Sequence, residues 1–443
     1  MKYLPLTVSA LVMFCSVEFA SASASANNDL YILLQNATII DMVSESGRTG
    51  DLLIKQDKIF DISFSAPITP PQNAVIYDLT GKYIIPGLID NHGHITHSTY
   101  LNAVDEIQTA LKNGVTGVRD MGGDGRMLAQ LKRAALIGEI PASDVFFSAI
   151  IAGDYFFEKD PRPASVALGA DVGNEAWQWT VNDNTNYNNI IAQTKGLGAT
   201  AIKAYARLEL PAFQKAAAEA KRQGLKVWAH ASIPPMRPSE IIKAGADVIS
   251  HAGAFFQYEI ADDIKDRYSF DTPEAVNEYR QKLRKIPFSA TTPKVNALLK
   301  TMKENETILD ATLWVYQLDG KPKSELDYAL KVTKMVHDAG IKIGAGTDRL
   351  THNNGRASNI HLELKLLTQA GLTAIEALRA ATINNAIGLG QASQIGSIEV
   401  NKLANLVILN ADPLQNIDNS RSINTVFKRG KAHQGYSSMY MLD

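Results

Sequence analysis

Leu88-Ile-Asp-Asn-His-Gly-His-Ile95 decides the fold. The stretch opens apolar, closes polar and carries His92 and His94 two residues apart. On a strand that spacing puts both side chains on one face, so both imidazoles can reach one ion. Three further apolar runs close the same way: Leu225-Lys-Val-Trp-Ala-His230, Ala246-Asp-Val-Ile-Ser-His251 and Ile341-Lys-Ile-Gly-Ala-Gly-Thr-Asp348. A lone histidine at a strand end is usually a hydrogen-bonded structural residue. Buried strands that close again and again on a metal-ligating residue instead point to a (β/α)8 barrel with its site at the C-terminal mouth.

Outward from this core the motifs lengthen. Pro86-Gly-Leu-Ile-Asp-Asn-His-Gly-His94, Gly117-Val-Arg-Asp-Met-Gly-Gly123 and Ala201-Ile-Lys-Ala-Tyr205 stand in the order, and with the spacing, that resembles the amidohydrolase superfamily, in its imidazolonepropionase-like and prolidase-like branch. The resemblance runs over nearly the whole chain after residue 27. It implies a binuclear centre whose ligands are His92, His94, Lys203, His230, His251 and Asp348, with Lys203 carboxylated and bridging two divalent ions. Histidine-rich ligation favours zinc, and manganese or cobalt could serve.

The chemistry explains these residue types. Two divalent ions about 3.5–4 Å apart share a hydroxide and polarise a scissile carbonyl. Neutral histidines leave the ions' charge intact. A lysine carbamate, Asp348 and the hydroxide reduce it to a small positive remainder, enough to stabilise an oxyanion. An unmodified Lys203 would add a cation beside two cations. Asp348 can hold one ion and accept the proton of the bridging water.

Around these ligands the assignments stay open. Tyr205 lies two residues beyond Lys203, on the same face and nearer the mouth, where it either assists catalysis and binds substrate or simply packs. Arg207 and Arg349 follow strand ends, and each either clamps a substrate carboxylate or pairs with a loop acid. His97, His352 and His361 fall near the mouth with structural roles equally open; His337 and His433 read as solvated. Arg119 and Asp120 read as a structural pair below the site. Two departures from prolidase-like members count against plain dipeptidase activity: Ser232 stands where they carry a tyrosine, and Gly153-Asp154-Tyr155 where they carry a histidine. The expected function is hydrolysis of an amide or peptide-like C–N bond. A lactonase or phosphotriesterase, and a metal-loaded but inactive binding protein, are the alternatives. A mononuclear deaminase fits less well, because Lys203 supplies a bridge such enzymes lack.

Composition limits the rest. The net charge is −2 with no long basic block, which gives no footprint for nucleic acid. Residues 1–26 read as a signal peptide: Lys2, an apolar run from Leu4 to Val17, then Ala20-Ser-Ala-Ser-Ala-Ser-Ala26 with cleavage after Ala22, Ala24 or Ala26. The single cysteine, Cys15, lies inside it. A periplasmic or secreted protein with no stable membrane insertion is expected, an uncleaved tether being the alternative. The expected partners are a small-molecule substrate and possible further copies of the chain. Residues 27–86 and 390–443 are expected to meet as a small β-sandwich, and 87–389 to form the barrel. Asp154–Asn188 and Phe255–Pro293 are long for barrel loops and are expected to wall the pocket.

Overall fold

The computed structural model describes residues 30–262, 273–318, 320–351 and 356–436. The expected leader and His352 lie outside the described residues. Eight parallel strands form the centre of the molecule: β1 (Leu88–Gly93), β2 (Val115–Asp120), β3 (Asp144–Ala152), β4 (Ala201–Ala204), β5 (Lys226–His230), β6 (Val248–Ser250), β7 (Ile308–Asp310) and β8 (Ile343–Gly344). Each pairs with the next in chain order. Two backbone hydrogen bonds join the last strand to the first, Asn91 N to Ala345 O at 3.3 Å and Asp348 N to His92 O at 2.8 Å. The side chain of Thr347 reinforces them, donating to Asp90 Oδ2 at 2.6 Å.

Period-two alternation sorts the strand residues into two shells. Ala201, Trp228, Val248 and Ile308 pack together with Met121. Their neighbours Ile202, Val227, Ile249 and Leu309 belong instead to the large core that the surrounding helices cover. The residues two further along the inward rows are Lys203, His230, Ser250 and Asp310. Pattern alone therefore delivers polar side chains to one end of the barrel.

Local backbone geometry sets several boundaries. The run Thr373–Leu389 forms two helices, Ala374–Ala380 and Ile383–Leu389, because Thr382 leaves helical geometry at φ −133° and ψ −95°. The strand Leu406–Leu409 begins only after Gly396 and Asn401. Gly396 and Asn401 take positive φ, which extended backbone does not allow. Arg119 and Asp120 do not pair. As neighbours on a strand they face opposite ways: Arg119 turns inward and stacks on Trp228 at 4.3 Å, while Asp120 accepts backbone N–H bonds from Ile95, Gly122 and Gly123 at 2.6–2.9 Å.

The chain ends meet in one eight-stranded sheet. Its order is Lys431–Gln434, Ile423–Lys428, Leu406–Leu409, Tyr83–Pro86, Tyr31–Ile39, Arg48–Lys55 and Lys58–Ser63, with Val75–Asp78 alongside Tyr31–Ile39. A register shift between Leu34 and Ala37, where Asn36 takes φ 62°, breaks the long first strand. Val75–Asp78 pairs before the bulge and Tyr83–Pro86 after it. This brings Tyr77 edge-on to Phe427 at 5.7 Å, over a core that includes Leu34, Ile54, Ile84 and Leu406. The layers are thus halves of one sheet. Phe427 is buried at the seam between the two ends of the chain. Phe427→Ala is expected to cost about 3–5 kcal/mol in chemical denaturation; a cost below about 1 kcal/mol would show the seam to be unimportant.

Candidate metal centre and cavity

The strand ends bring five of the six expected ligands into one chain of neighbouring rings and charges. Ring centroids run from His94 to His92 at 5.8 Å, His92 to His251 at 4.8 Å and His251 to His230 at 4.6 Å. Asp348 Oδ1 sits 3.1 Å from His94 Nε2 and 3.4 Å from His92 Nε2. The donor atoms of His92, His94 and Asp348 all lie within 4.8 Å of one another. Lys203, the sixth, is buried and donates to the Met121 carbonyl at 3.1 Å. Its ammonium lies 5.3 Å from the ring of Tyr205, which in turn meets His230 at 5.3 Å.

Partners behind the rings fix which nitrogen faces the centre. His92 Nδ1 is 2.7 Å from Asp310 Oδ2, and His251 Nδ1 is 2.8 Å from Thr312 Oγ1. In the tautomer that donates from Nδ1 to these oxygens, each Nε2 lone pair points inward, the arrangement that metal-bound histidines use. Asp310 is held in turn by Ser250 Oγ at 2.9 Å. His230 differs: its Nδ1 accepts the Ser232 amide at 3.0 Å, so an ion bound through that nitrogen would compete for one lone pair. Two buried nitrogens of the cluster, His92 Nε2 and His94 Nδ1, have no hydrogen-bond partner. Leaving such atoms unpaired is costly, and an ion would satisfy them.

The electrostatics agree with this arrangement. Burial pulls the imidazoles of His92 and His251 down, His251 to about 3, so both are neutral and available as ligands. Burial alone would raise Asp348; its neighbours His92, His94 (through a hydrogen bond) and His251 together hold it well below the ordinary carboxylate range. Burial lowers the Lys203 ammonium to about 8. His251 and Asp348 both take positive φ, 79° and 58°. Non-glycine residues rarely adopt this geometry, and it concentrates where a site over-determines the backbone. Four imidazoles and a carboxylate suit a divalent metal ion.

Above the cluster lies a cavity of about 920 Å³. The segment after β3 supplies Phe156, Phe157 and Arg162 to its wall, and the segments after β6 and β7 supply Tyr258, Arg284, Tyr316 and Tyr328. The long stretches singled out in the sequence thus do wall the pocket. Tyr205 lines it; its hydroxyl accepts from Arg162 Nη1 at 3.4 Å and its ring packs on Phe156. Arg349 also lines it and is exposed. Arg207 is not on the wall; its guanidinium stacks on Tyr155 at 3.4 Å. His97 joins the wall with its ring 4.7 Å from His94. His361 is structural, bonded to Asn113 O and Ser420 Oγ, and His337 is not simply solvated but meets Glu376 at 3.1 Å.

A sequence model described as Amidohydrolase family matches residues 83–433. The chain belongs to the amidohydrolase family. Among curated relatives of this amidohydrolase, an imidazolonepropionase of Porphyromonas gingivalis is 40% identical over 84 residues, 19% of each chain. A 5-methylthioadenosine/S-adenosylhomocysteine deaminase of Clostridium tetani is 21% identical over 415 residues, 85% of each. The match to the first curated relative, a deaminase of the same description from Carboxydothermus hydrogenoformans, spans only 18% of that protein's length. Among solved structures, a Xaa-Pro dipeptidase with bound methionine superposes with a TM-score of 0.67 at 21% identity, covering 91% of this chain and 100% of the other. The ochratoxinase of A. niger gives 0.69 at 20% identity, covering 92% and 96%. At such identities the likeness is one of fold.

Asp310 and Thr312 are absent from the sequence reading. Asp310 closes Ile308-Leu-Asp310 much as Asp348 closes its own strand, yet only the ring of strands sets it behind His92. Asp310→Ala is expected to weaken divalent-ion affinity about 10–100-fold, the usual effect of losing a ligand's supporting partner. Titration calorimetry with zinc measures it, and an unchanged affinity would reduce Asp310 to a packing role.

Proposed function

We propose that the protein hydrolyses an amide or peptide-like C–N bond of a small substrate at a two-metal centre held by His92, His94, His230, His251, Asp348 and a carboxylated Lys203. The observation that carries this is the convergence of His92, His94, His230, His251 and Asp348 at the mouth of the barrel, beside buried Lys203, with two buried histidine nitrogens left without partners. Bound there, two divalent ions would supply the Lewis acidity that activates water and polarises a carbonyl. As an ammonium, Lys203 would repel such ions. When CO2 adds to its free amine and one proton leaves, the same side chain becomes an anion in the same place.

The chain's own groups supply the remaining chemistry. Asp348 accepts a proton from the attacking water and returns it to the leaving nitrogen. Tyr205, held by Arg162 and Phe156, offers a hydroxyl on the wall. Arg349 at the rim binds a substrate carboxylate. Residues 1–26 act as a cleaved leader to the periplasm or the exterior, and the mature N-terminus, read by sequencing, tests that placement. Deamination is the second reading, favoured by the long match to the Clostridium tetani relative. Ammonia release from 5-methylthioadenosine, set against hydrolysis of N-acyl amino acids, separates the two.

Purified protein is expected to hold close to two divalent ions per chain, to lose activity on chelation and to regain it with zinc. Active enzyme without transition metal by elemental analysis would overturn the proposal. Lys203→Ala is expected to lose the ion pair, and Asp348→Asn to keep its fold while kcat falls about 10²-fold or more. A near-normal kcat in the asparagine variant would place the base elsewhere.

A side-by-side assay of N-acyl amino acids and their carboxamides tests the rim. Arg349→Met is expected to cost about 1 kcal/mol in kcat/KM, roughly fivefold, for the free acids alone, since solvent screens an exposed guanidinium. Equal losses on acid and amide would remove the clamp.

A further inference from the structure

The wall contributed by the segment after β7 is held by several hydrogen bonds. Leu313–Gln317 forms a short 3-10 helix whose first turn is capped from below by Glu363, a fully buried carboxylate accepting from Leu313 N at 2.9 Å and Trp314 N at 2.7 Å. The residue before the helix, Thr312, takes positive φ and bonds His251 Nδ1. At the other end of the helix, Tyr316 lays its phenol against Gly253, two residues beyond His251. A Cβ at residue 253 would fall 2.4 Å from the Tyr316 hydroxyl, so glycine is required there for the ring to seat. One short helix is therefore tied to the same ligand strand at two points.

The hydrogen-bond direction at Tyr316 matters. Its hydroxyl accepts the Gly253 amide N–H at 2.8 Å. A phenol oxygen that accepts from the backbone keeps its own proton for another partner. The residue lines the cavity, and burial keeps the phenol protonated by pushing its pKa up. Asp348 lines the same cavity. A preorganised donor at the cavity wall, beside the ligand cluster, is what a developing negative charge needs.

Resting on the hydrolase reading above, we infer that Tyr316 is a catalytic residue that donates a hydrogen bond to the oxygen of the scissile carbonyl as it becomes an oxyanion. The position after His230 that would otherwise offer a tyrosine holds Ser232, whose amide is spent on His230 Nδ1. Tyr205, whose hydroxyl accepts from Arg162, stands at the end of β4. Tyr316 supplies a further donor from a different strand end, held by the Gly253 amide.

Tyr316→Phe keeps the ring against Gly253 and removes only the hydroxyl. With the zinc-loaded enzyme and an N-acyl amino acid it hydrolyses, kcat is expected to fall about 10²-fold while KM moves less than threefold, the signature of an interaction made in the transition state. Zinc content should be unchanged. An N-methylphosphonyl amino acid, which mimics the tetrahedral centre, should bind the variant about 10²-fold more weakly by calorimetry, and the amino-acid product should bind equally well. An unchanged kcat and unchanged phosphonyl affinity in an active, metal-loaded variant would overturn the inference and leave the hydrolase reading intact. Wild-type protein that hydrolyses no amide would defeat the hydrolase reading itself. Should the phenylalanine variant not fold, 3-fluorotyrosine at position 316 keeps the shape and acidifies the donor; a kcat indifferent to that exchange overturns the inference equally.

Discussion

Eight parallel strands closed into a ring impose the constraint on which everything else depends. A strand sends alternate side chains inward, and a ring makes those inward rows converge. Apolar residues such as Trp228 and Val248 can fill the middle. Toward the C-terminal end the same rows carry Lys203, His230, Ser250 and Asp310, and there the barrel must accommodate polar groups at low dielectric. Burial of that kind is tolerated only when partners are supplied. Ser250 and Thr312 supply some of them; the lone pairs left over on His92 and His94 are the chemically useful remainder.

Closure and chemistry are joined at one place. The bond from Asp348 N to His92 O is a structural tie between last and first strands, and it also brings a carboxylate next to a His-x-His pair. The Asp90–Thr347 contact locks the same seam from the side. Anything that loosened this seam would move both side chains together, so the stability of the ring and the geometry of the candidate centre are one property. The positive φ of Asp348 and His251 belongs with this: local backbone cost is carried by a frame rigid enough to enforce it.

Specificity lies in a different layer. The segments after β3, β6 and β7 build the cavity walls from Phe156, Tyr258, Tyr316 and their neighbours, on loops that the ring supports without dictating. That division lets one barrel fold, shared with the solved Xaa-Pro dipeptidase and the ochratoxinase, carry different cavity walls.

The side chains that meet at the mouth of the barrel were legible in the sequence because their signal is local. His-x-His on a strand, and apolar runs that close on His230, His251 and Asp348, need only period-two geometry to be read. The barrel follows from the same rows. The partners of those ligands were not legible, because Asp310 lies 218 residues from His92 and meets it only across the ring. Arg119 and Asp120 were misread as a pair because adjacency in sequence means opposite faces on a strand. Arg207 and Arg349 looked equivalent as strand-end cations, yet tertiary packing turned one onto Tyr155 and left the other at the rim. The sequence determined which side chains the strands present, since that depends on alternation. Which of them meet, and which partners hold them, were decided by contacts between segments far apart in the chain, and no local pattern encodes those.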